Sequence, residues 1–394
     1  MEPDFRSPTA ESSTSEPSAL NETIELLVGG IQFFPDLIDE IHKAKKFIFI
    51  ETYIFKNSGY ISRIIESLNK AANRGVKIYI MVDGMGSLHS AEEVKNLLQH
   101  PKIDFEIFKP IGKFVSMKFS FLSRLHRKLI VIDGHVAYAG GINLHDDYDE
   151  DLPHPRFDFA SKISGETVKL IEEEMRELWL FQKGKIKIDT IAKHFIKRKF
   201  NDIRSIRMLF RDQVWNHRVI EDFYINQLSK AKDLVLLANA YFLPGRRIRA
   251  ALKAAVERGV EIKVLLQGKR EYWLVFLAEQ TNARWLLKQN IKVYHYEKSF
   301  LHAKVGVFDE VIATVGSSNL DPLSTAMARE TNVAVTDSKF VKKLKGELEK
   351  AIHSSPEFTM VDYKSLPLWE RIIGFLFVFL SRRTNVLFRH YIGA

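Results

Sequence analysis

The chain has 394 residues and 46% of them are apolar, which is sufficient for two hydrophobic cores. It contains no cysteine, which excludes a disulfide framework and any cysteine-ligated metal site. The formal net charge of +9 favours an anionic partner, and a phospholipid surface and a nucleic acid would satisfy it equally.

The first elements in chain order are a tail and a helix-strand unit. Residues 1–20 are rich in Ser, Thr, Pro and Glu and lack an apolar run and a basic leader, which predicts a disordered tail and neither a signal peptide nor an anchor. From residue 61 to 83 a helical pattern ends at Gly75 and an apolar strand follows. The same order recurs over residues 248–267 around Gly259, and such alternation predicts α/β sheets.

The segment just before residue 126 combines cations with bulky apolar side chains and has neither a helical nor a strand period. One interpretation is a loop whose aromatic rings dip into acyl chains while its lysines meet lipid head groups. The other is a packed lid over a cleft. The first interpretation predicts membrane contacts at Phe114, Phe119 and Phe121.

One unusual string then occurs twice. Residues 126–133 (HRKLIVID) and 302–309 (HAKVGVFD) share the spacing His-x-Lys-x4-Asp. After six further residues each copy continues with a Gly-x-x-Asn string, which ends at Asn143 in the first copy and at Asn319 in the second. The match therefore extends over eighteen positions, and the two copies can meet across a pseudo-twofold axis.

The spacing predicts a chemistry. Residues two apart on a strand face the same way, which would put His126 beside Lys128 and His302 beside Lys304. A neutral imidazole can attack phosphorus or carry a proton near neutral pH, and an ammonium suits a phosphate oxygen. A zinc site is the chemical alternative, disfavoured because lysine is a poor ligand. Two core histidines at coincidental spacing are the structural alternative, which the repetition disfavours. No metal and no cofactor are expected.

Further segments lie on both sides of the second copy. Glu166 to Gln182 has apolar residues at helical spacing and predicts an amphipathic helix, followed by a basic segment, 183–199, and residues 269–276 are predicted to form one lip of a cleft. Near the carboxyl end, nine apolar residues, 372–380, would span roughly 14 Å as a helix, under half of a ~30 Å hydrocarbon core. They are expected to lie on a membrane without crossing it, with a core helix as the alternative. The predicted membrane contacts are Trp369, Phe375 and Phe377.

The repeated strings resemble the phospholipase D superfamily, whose signature is His-x-Lys-x4-Asp-x6-Gly-Ser-x-Asn in two copies. The first copy departs from it at Gly141, where the family usually has serine, and a glycine there is common in members that act on membrane lipids. Further strings at 51–55 (ETYIF), 240–244 (AYFLP) and 329–332 (RETN) make the chain similar to bacterial cardiolipin synthases that lack amino-terminal transmembrane helices.

The resemblance, which covers residues 21–345, implies an α/β fold of two pseudo-twofold-related phospholipase D-like lobes, each a mostly β-sheet core flanked by helices. The expected units are a tail at 1–20, a first lobe at 21–165, a linker helix and basic segment at 166–207, a second lobe at 208–345, and a membrane-associated tail at 346–394.

The resemblance also implies roles for the motif residues in phosphatidyl transfer between two phosphatidylglycerol molecules through a phosphohistidine, with release of glycerol. His126 is the expected nucleophile and His302 the general acid and base. The catalytic signature is His126, Lys128, Asp133, His302, Lys304 and Asp309, with both aspartates expected to stabilise strand ends. Phosphate binding is expected at Asn143, Ser317 and Asn319, and orientation of the imidazoles by Asp158 and Glu330, downstream of the first and second motif respectively.

The implied partners are phosphatidylglycerol and other anionic phospholipids at a membrane surface, with no nucleic acid. The implied location is peripheral, on the cytoplasmic face of a bacterial cell membrane. A phospholipase D-type hydrolase and a phosphodiesterase or nuclease of the same superfamily are the alternatives, and the Phe-rich loop and apolar tail disfavour the nuclease. A non-catalytic lipid-binding scaffold is disfavoured because both motifs retain every ionisable group. The sequence leaves the oligomeric state open.

Overall fold

The computed structural model describes residues 22–110, 123–148, 155–186, 205–212, 216–321 and 328–391. The first lobe contains strands and helices in alternation, as its repeated helix-strand pattern predicts. Its strands are β1 (Thr23–Val28), β2 (Phe47–Thr52), β3 (Lys77–Asp83), β4 (Ile103–Phe108), β5 (Arg124–Leu125), β6 (Leu129–Ile132), β7 (Val136–Gly140) and β8 (Phe159–Ser164). Its helices are α1 (Gly29–Lys43), α2 (Ile61–Asn73), α3 (Ala91–Leu97) and α4 (Glu166–Gln182).

The second lobe repeats this alternation and ends in three further helices. Its strands are β9 (Ile206–Arg211), β10 (Leu234–Asn239), β11 (Glu261–Gln267), β12 (Lys292–Tyr296), β13 (Lys304–Phe308), β14 (Ile312–Gly316), β15 (Ala328–Val335) and β16 (Glu357–Phe358). Its helices are α5 (Val219–Lys230), α6 (Arg246–Glu257), α7 (Trp273–Leu287), α8 (Ser338–His353), α9 (Met360–Ser365) and α10 (Leu368–Tyr391).

The two sheets have the same strand order. The first runs β1-β8-β7-β6-β2-β3-β4 and the second β9-β15-β14-β13-β10-β11-β12, with β16 added at its outer edge. In each sheet the last three strands of this order are parallel and the other pairings are antiparallel. The repeated order confirms the predicted class, two related α/β lobes.

Three apolar cores hold these layers together. One core joins α1, α2 and α3 to the outer face of the first sheet, and a second joins α5, α6 and α7 to the second sheet. The third lies between the lobes and contains side chains of β7, β8, β14 and β15 together with α4 and α8. Because the inner faces of both sheets share this third core, the lobes pack as one unit.

Backbone pairing also crosses between the lobes. Strand β5 of the first lobe pairs in parallel with β15 of the second, and the His126 amide donates to the Arg329 carbonyl at 3.0 Å. On the other side of the pseudo-twofold axis, the His302 amide donates to the Phe157 carbonyl at 2.9 Å. Each motif histidine is thereby hydrogen-bonded to the residue that comes just before a carboxylate residue in the opposite lobe.

The two motif aspartates lie at the far ends of their strands and do not line the cleft described below. The Asp133 carboxylate accepts hydrogen bonds from the amides of residues 45, 46 and 47, at 2.7 to 2.8 Å. The Asp309 carboxylate accepts from residues 232, 233 and 234, at 2.7 to 3.0 Å. Their inclusion with the catalytic groups is therefore corrected: they hold the starts of β2 and β10, as the strand-end interpretation predicted.

Of the boundaries predicted from the sequence, that of the linker helix matches an observed helix and that of the second lobe does not. The helix predicted over Glu166 to Gln182 is α4, with those bounds. The predicted end of the second lobe at residue 345 falls inside α8, whose apolar side chains belong to the shared core, so the lobe continues at least to the β16 pairing with β12. Residues 1–20 and most of the basic segment lie outside the described residues. Among the described helices, none combines the length and apolarity needed to cross a bilayer.

Candidate active site

A cleft of about 430 Å³ lies between the lobes and is lined by both motif histidines. Its walls combine aromatic rings, carboxylates and arginines from the two lobes. Its lining in the described part of the chain is Tyr53, Ile54, Arg124, His126, Asn143, His145, Asp147, Tyr148, Arg156, Tyr241, Leu243, Glu271, Tyr272, Val275, His302, Asn319, Asp321, Ala328, Glu330 and Phe377.

Each histidine is held by a carboxylate from the other lobe. His126 Nδ1 lies 3.0 Å from Glu330 Oε2, and His302 Nδ1 lies 2.6 Å from Asp158 Oδ2. Both carboxylates were predicted as orienting groups, one downstream of each motif, and the structure shows that the pairing is crossed between the lobes. Since the carboxylates occupy Nδ1, Nε2 of each ring is the nitrogen left for the cleft.

The two pairs differ in their electrostatics. Burial opposes ionisation of Glu330, but His126, Arg211 and Lys128 outweigh it and hold the pKa of this carboxyl below its ordinary value. Burial raises the pKa of Asp158 to about 7. Burial also lowers the pKa of both imidazoles, and that of His302 falls furthest because Lys304 and Arg156 add to the effect. Both rings are therefore neutral near pH 7, as a nucleophile requires.

The motif lysines lie beneath the histidines and not on the open wall. Lys128 Nζ donates to the His126 carbonyl at 2.8 Å, and Lys304 Nζ donates to the His302 carbonyl. Lys304 Nζ also lies 2.9 Å from His302 Nδ1. Burial lowers the pKa of Lys128 to about 7 and that of Lys304 to about 8. Each lysine therefore lies beside its histidine, as predicted, but the reason is not a shared strand face, since β6 begins after Lys128 and β13 begins at Lys304.

The predicted phosphate-binding residues divide into two groups. Asn143 and Asn319 line the cleft. The Ser317 hydroxyl instead donates to the Glu330 carboxylate and accepts from the Thr331 amide at 3.0 Å, and the residue is fully buried. Its expected role as a phosphate ligand is therefore corrected, because its hydroxyl is committed to orienting Glu330.

Gly141, the departure from the family signature, has a structural reason. A Cβ atom at this position would lie 2.4 Å from Asp158 Oδ1 and 2.5 Å from Oδ2. The first lobe therefore has no room for the serine that the second lobe carries as Ser317. Glycine here leaves space for the carboxylate that contacts His302.

Sequence reasoning missed several groups in the cleft. Tyr148 is 1% exposed and its hydroxyl lies 3.0 Å from His302 Nδ1. Arg156 bridges the lobes, with Nε 2.7 Å from Asp147 Oδ2 and Nη2 2.6 Å from Glu271 Oε1. The available signal was proximity in sequence: Tyr148 follows the Asn143 string, and Arg156 precedes Asp158 by two residues. The identity of their partners depends on contacts between lobes.

The first motif also contains a buried ion-pair network. Arg127, between the motif histidine and lysine, is 1% exposed and contacts Glu51 through Nε at 2.9 Å and Glu174 through Nη1 at 2.6 Å. Burial raises the pKa of Glu51 to about 7. The second motif has Ala303 at the corresponding position. This network ties β2 and α4 to the residue next to His126.

An apolar surface adjoins the cleft and is formed by the start of α7 and by α10; we call it the apolar ridge. The helices pack closely at Gly374, where a Cβ would lie 2.4 Å from the Leu277 carbonyl oxygen. Of the predicted contacts, Trp369 and Phe375 are 53% and 58% exposed and Phe377 lines the cleft, while Phe114, Phe119 and Phe121 lie outside the described residues. The ridge consists of Tyr272, Trp273, Leu274, Leu368, Trp369, Ile372, Phe375, Leu376, Phe379 and Leu380, all exposed.

Fold and site together define a two-lobed phosphodiester-processing protein of the phospholipase D type, with one motif histidine from each lobe in a shared cleft. A family model described as cardiolipin synthase, PLD-like domain, matches residues 37–179 and 224–352. The chain belongs to this family and is an enzyme of the phospholipase D superfamily, which confirms the resemblance read from the motifs.

Individual relatives agree. Cardiolipin synthase B of Salmonella typhi is 31% identical over 352 residues, covering 87% of this chain and 83% of that protein. The cardiolipin synthase of Clostridium perfringens (strain 13 / Type A) is 30% identical over 359 residues, covering 89% of this chain and 74% of that protein. The crystal structure of phosphatidylserine synthase from Haemophilus influenzae Rd KW20 superimposes with a TM-score of 0.69 at 14% identity, covering 92% and 94% of the two chains, which is a likeness of fold.

The lysine environments generate a pH prediction. In the free enzyme the Lys128 ammonium, with a pKa of about 7, and the Lys304 ammonium, with a pKa of about 8, are lost as the pH rises. We expect kcat/KM to fall through this range and kcat to fall at a higher pH, because a bound phosphate favours the charged lysines. Lys128→Arg should remove the lysine contribution to the lower transition and leave the contribution of Asp158, whose pKa is also about 7. A kcat/KM that stays flat from about pH 6.5 to about pH 9 would contradict this.

A second prediction concerns Gly141. Gly141→Ser should push the Asp158 carboxylate away from His302 and reduce turnover by about 10- to 100-fold, a partial loss of a proton-transfer contribution. Initial rates on phosphatidylglycerol, with circular dichroism as the folding control, test it. The double variant Gly141→Ser/Asp158→Glu copies the arrangement at Ser317 and Glu330 and should recover part of the lost rate. Full activity of the single variant would show that Asp158 need not stay where it lies.

Proposed function

We propose that this enzyme is a cardiolipin synthase that transfers a phosphatidyl group from one phosphatidylglycerol to another and releases glycerol. Membership of the family implies that the enzyme acts on phospholipids and associates with the membrane. The observation that supports the specific reaction is the pair of neutral imidazoles in one cleft, each held at Nδ1 by a buried carboxylate of the other lobe. Such an arrangement suits a nucleophile on one side of a phosphorus atom and a general acid on the other.

In the first step, His126 Nε2 would attack the phosphorus of a bound phosphatidylglycerol. A nitrogen-phosphorus bond forms as the phosphorus-oxygen bond to the glycerol head group breaks. His302 Nε2 gives its proton to the departing oxygen while the protonated Asp158 gives its proton to His302 Nδ1, so the ring stays neutral. The ionised Glu330 stabilises the charge that develops on His126, because its contact with Nδ1 is already formed. Lys128, Lys304, Asn143 and Asn319 are the groups proposed to hold the phosphoryl oxygens.

In the second step, a hydroxyl of another phosphatidylglycerol would attack the phosphohistidine. His302 Nε2 takes the hydroxyl proton and Nδ1 returns its proton to Asp158, which restores the starting form of this pair. The new phosphorus-oxygen bond forms and the nitrogen-phosphorus bond breaks to restore neutral His126. One phosphodiester replaces another, so the reaction needs no nucleotide. The steps are balanced with the residues of the cleft alone.

The roles of the two histidines are supported by their different neighbours. His302 Nδ1 lies 3.0 Å from the Tyr148 hydroxyl and 2.6 Å from Asp158, whose pKa of about 7 lets it hold a proton. A hydroxyl or protonated carboxyl that donates to Nδ1 leaves the proton of the neutral ring on Nε2, the form needed in a general acid. His126 instead donates from Nδ1 to an ionised Glu330, which leaves a lone pair on Nε2, the form needed in a nucleophile.

The apolar ridge supports docking on a bilayer surface. It holds ten of the sixteen large apolar side chains that are exposed in the described part of the chain. Tyr272, Val275 and Phe377 join it to the cleft, so a lipid head group in the cleft can keep its acyl chains in the bilayer. We propose Trp369, Phe375 and Phe377 as membrane contacts. Anionic lipids as the binding surface and the cytoplasmic face as the location stay predictions from the sequence.

The reaction is tested with pure full-length protein and phosphatidylglycerol vesicles, without nucleotide, followed by mass spectrometry of the lipids. Cardiolipin and glycerol in equal amounts are expected. Rapid quenching with labelled phosphatidylglycerol under conditions that preserve phosphoramidates should place the label on the peptide that contains His126. Phosphatidic acid as the only product would identify a hydrolase, and label on the His302 peptide would reverse the two roles.

The docking surface is tested by single charge insertions in the apolar ridge. Trp273→Glu and Phe375→Glu should each weaken vesicle co-sedimentation by about 10- to 100-fold, since burial of a large apolar side chain contributes about 1.5 to 3 kcal/mol. Turnover of vesicle lipid should fall in parallel, while turnover of a short-chain soluble phosphatidylglycerol should stay unchanged.

The matched control is Val311→Glu, which places the same charge on a side chain that is 65% exposed in the β13 to β14 turn. Point substitutions test the ridge more specifically than removal of α10. Because α10 packs on α7, its removal would also expose part of α7. Equal vesicle binding by the wild type and both ridge variants would exclude the ridge as the docking surface.

A further inference from the structure

The pseudo-twofold symmetry of the cleft is broken in its charged side chains. Arg156 and Ala328 correspond, since each lies two residues before the carboxylate that contacts a motif histidine. Glu271 follows β11 as Ser87 follows β3, after the equivalent glycines Gly268 and Gly84, whose amides each donate to the neighbouring parallel strand. Of the charged groups Arg156, Glu271 and Asp147 in one half of the cleft, the first two therefore have uncharged counterparts in the other half.

These three groups belong to the His302 half. Asp147 is followed by Tyr148, whose hydroxyl contacts His302 Nδ1. Arg156 precedes Asp158, the carboxylate partner of His302, by two residues and lies 5.4 Å from the centroid of the Phe300 ring. The His126 half instead carries Arg124, whose counterpart is Phe300 and which lies 3.5 Å from the Asp83 carboxylate, and Asp321 also lines the cleft. The two halves thus offer different chemistry to a substrate.

The hydrogen bonds show what the His302 half can still bind. Arg156 gives Nε to Asp147 at 2.7 Å and both terminal nitrogens to Glu271, at 3.3 and 2.6 Å, so its donors are largely committed. The Tyr241 hydroxyl donates to Glu271 Oε2 at 3.2 Å. Two carboxylates around one guanidinium carry a formal charge of −1. Asp147 Oδ1 also lies 3.2 Å from His145 Nδ1, but each carboxylate oxygen has a second lone pair that can accept a hydrogen bond. Such a group accepts from hydroxyls and repels a second phosphate or a carboxylate.

The direction of the reaction places an alcohol in this half. Displacement at phosphorus puts the nucleophile and the leaving oxygen on opposite sides. With His126 on one side, the head-group oxygen leaves and the acceptor oxygen enters beside His302. The departing and incoming alcohols therefore use the same half of the cleft, where the carboxylates lie.

We infer that Asp147 and Glu271, held by Arg156 and Tyr241, form the subsite for the alcohol head group and select a neutral polyol with a hydroxyl beyond the reacting one. The inference rests on the proposed function and extends it to the acceptor. The second hydroxyl of a glycerol head group donates to a carboxylate, which fixes the reacting hydroxyl next to His302.

The test measures how the full-length enzyme partitions phosphatidylglycerol between alcohol and water. Labelled glycerol in the assay yields labelled phosphatidylglycerol, ethanol yields phosphatidylethanol, and water yields phosphatidic acid. In Glu271→Gln and in Asp147→Asn the ratio of glycerol transfer to hydrolysis should fall about 10-fold, because a charged acceptor is lost. The ratio of ethanol transfer to hydrolysis should stay constant, since ethanol has no second hydroxyl.

The matched control is Glu261→Gln, at an exposed carboxylate that contacts Lys292 outside the cleft. Glu271→Gln could unfold because it breaks the bridge between the lobes. In that case Asp147→Asn still provides the test, since the Asp147 side chain is 39% exposed. Glycerol and ethanol ratios that are unchanged, or that fall equally, in the folded variants would overturn the inference. A wild type that transfers to no alcohol would overturn the proposed function as well.

Discussion

The crossed pairing of each histidine with a carboxylate of the opposite lobe is the interaction on which the site depends. His126 and Glu330 are 204 residues apart in sequence and their side chains meet at 3.0 Å. The contact forms because β5 pairs with β15 and the segment before His302 pairs with Phe157. Neither lobe alone holds an oriented imidazole, so the shared apolar core between the sheets is a condition for the chemistry.

Duplication supplies the frame, and departures from symmetry supply the function. The two sheets repeat one strand order, and the motif aspartates hold equivalent strand starts with three amide hydrogen bonds each. Gly141 corresponds to Ser317. Among the described residues, Tyr148 contacts only the second histidine, and Arg156 with its two carboxylates has no equivalent in the other half. A symmetric site would treat a leaving and an attacking group alike. In the asymmetric site, the proton of the neutral ring lies on a different nitrogen in each imidazole.

The cleft and the apolar ridge belong to the same helices. Helix α7 begins with exposed Trp273 and contributes Val275 to the cleft wall, and α10 carries both exposed Phe375 and cleft-lining Phe377. Exposure of this apolar surface to water is unfavourable, and its contact with the hydrocarbon of a membrane is favourable. The charged part of a phospholipid and its acyl chains can therefore be held at the same time by adjacent parts of one surface.

The sequence by itself determined the two-lobed α/β class, the span of α4 and the paired motifs, because each follows from a local period or from a repeated string. The two carboxylates were expectations that came from the resemblance to the family. The sequence assigned Ser317 to phosphate and grouped the aspartates with the catalytic residues, since spacing does not show which way a side chain turns. Only the tertiary structure decided that the carboxylates cross between lobes, that Ser317 serves Glu330, and that Arg156 joins Asp147 to Glu271. These contacts join residues far apart in the chain, and they exist only after the two sheets have packed on their common core.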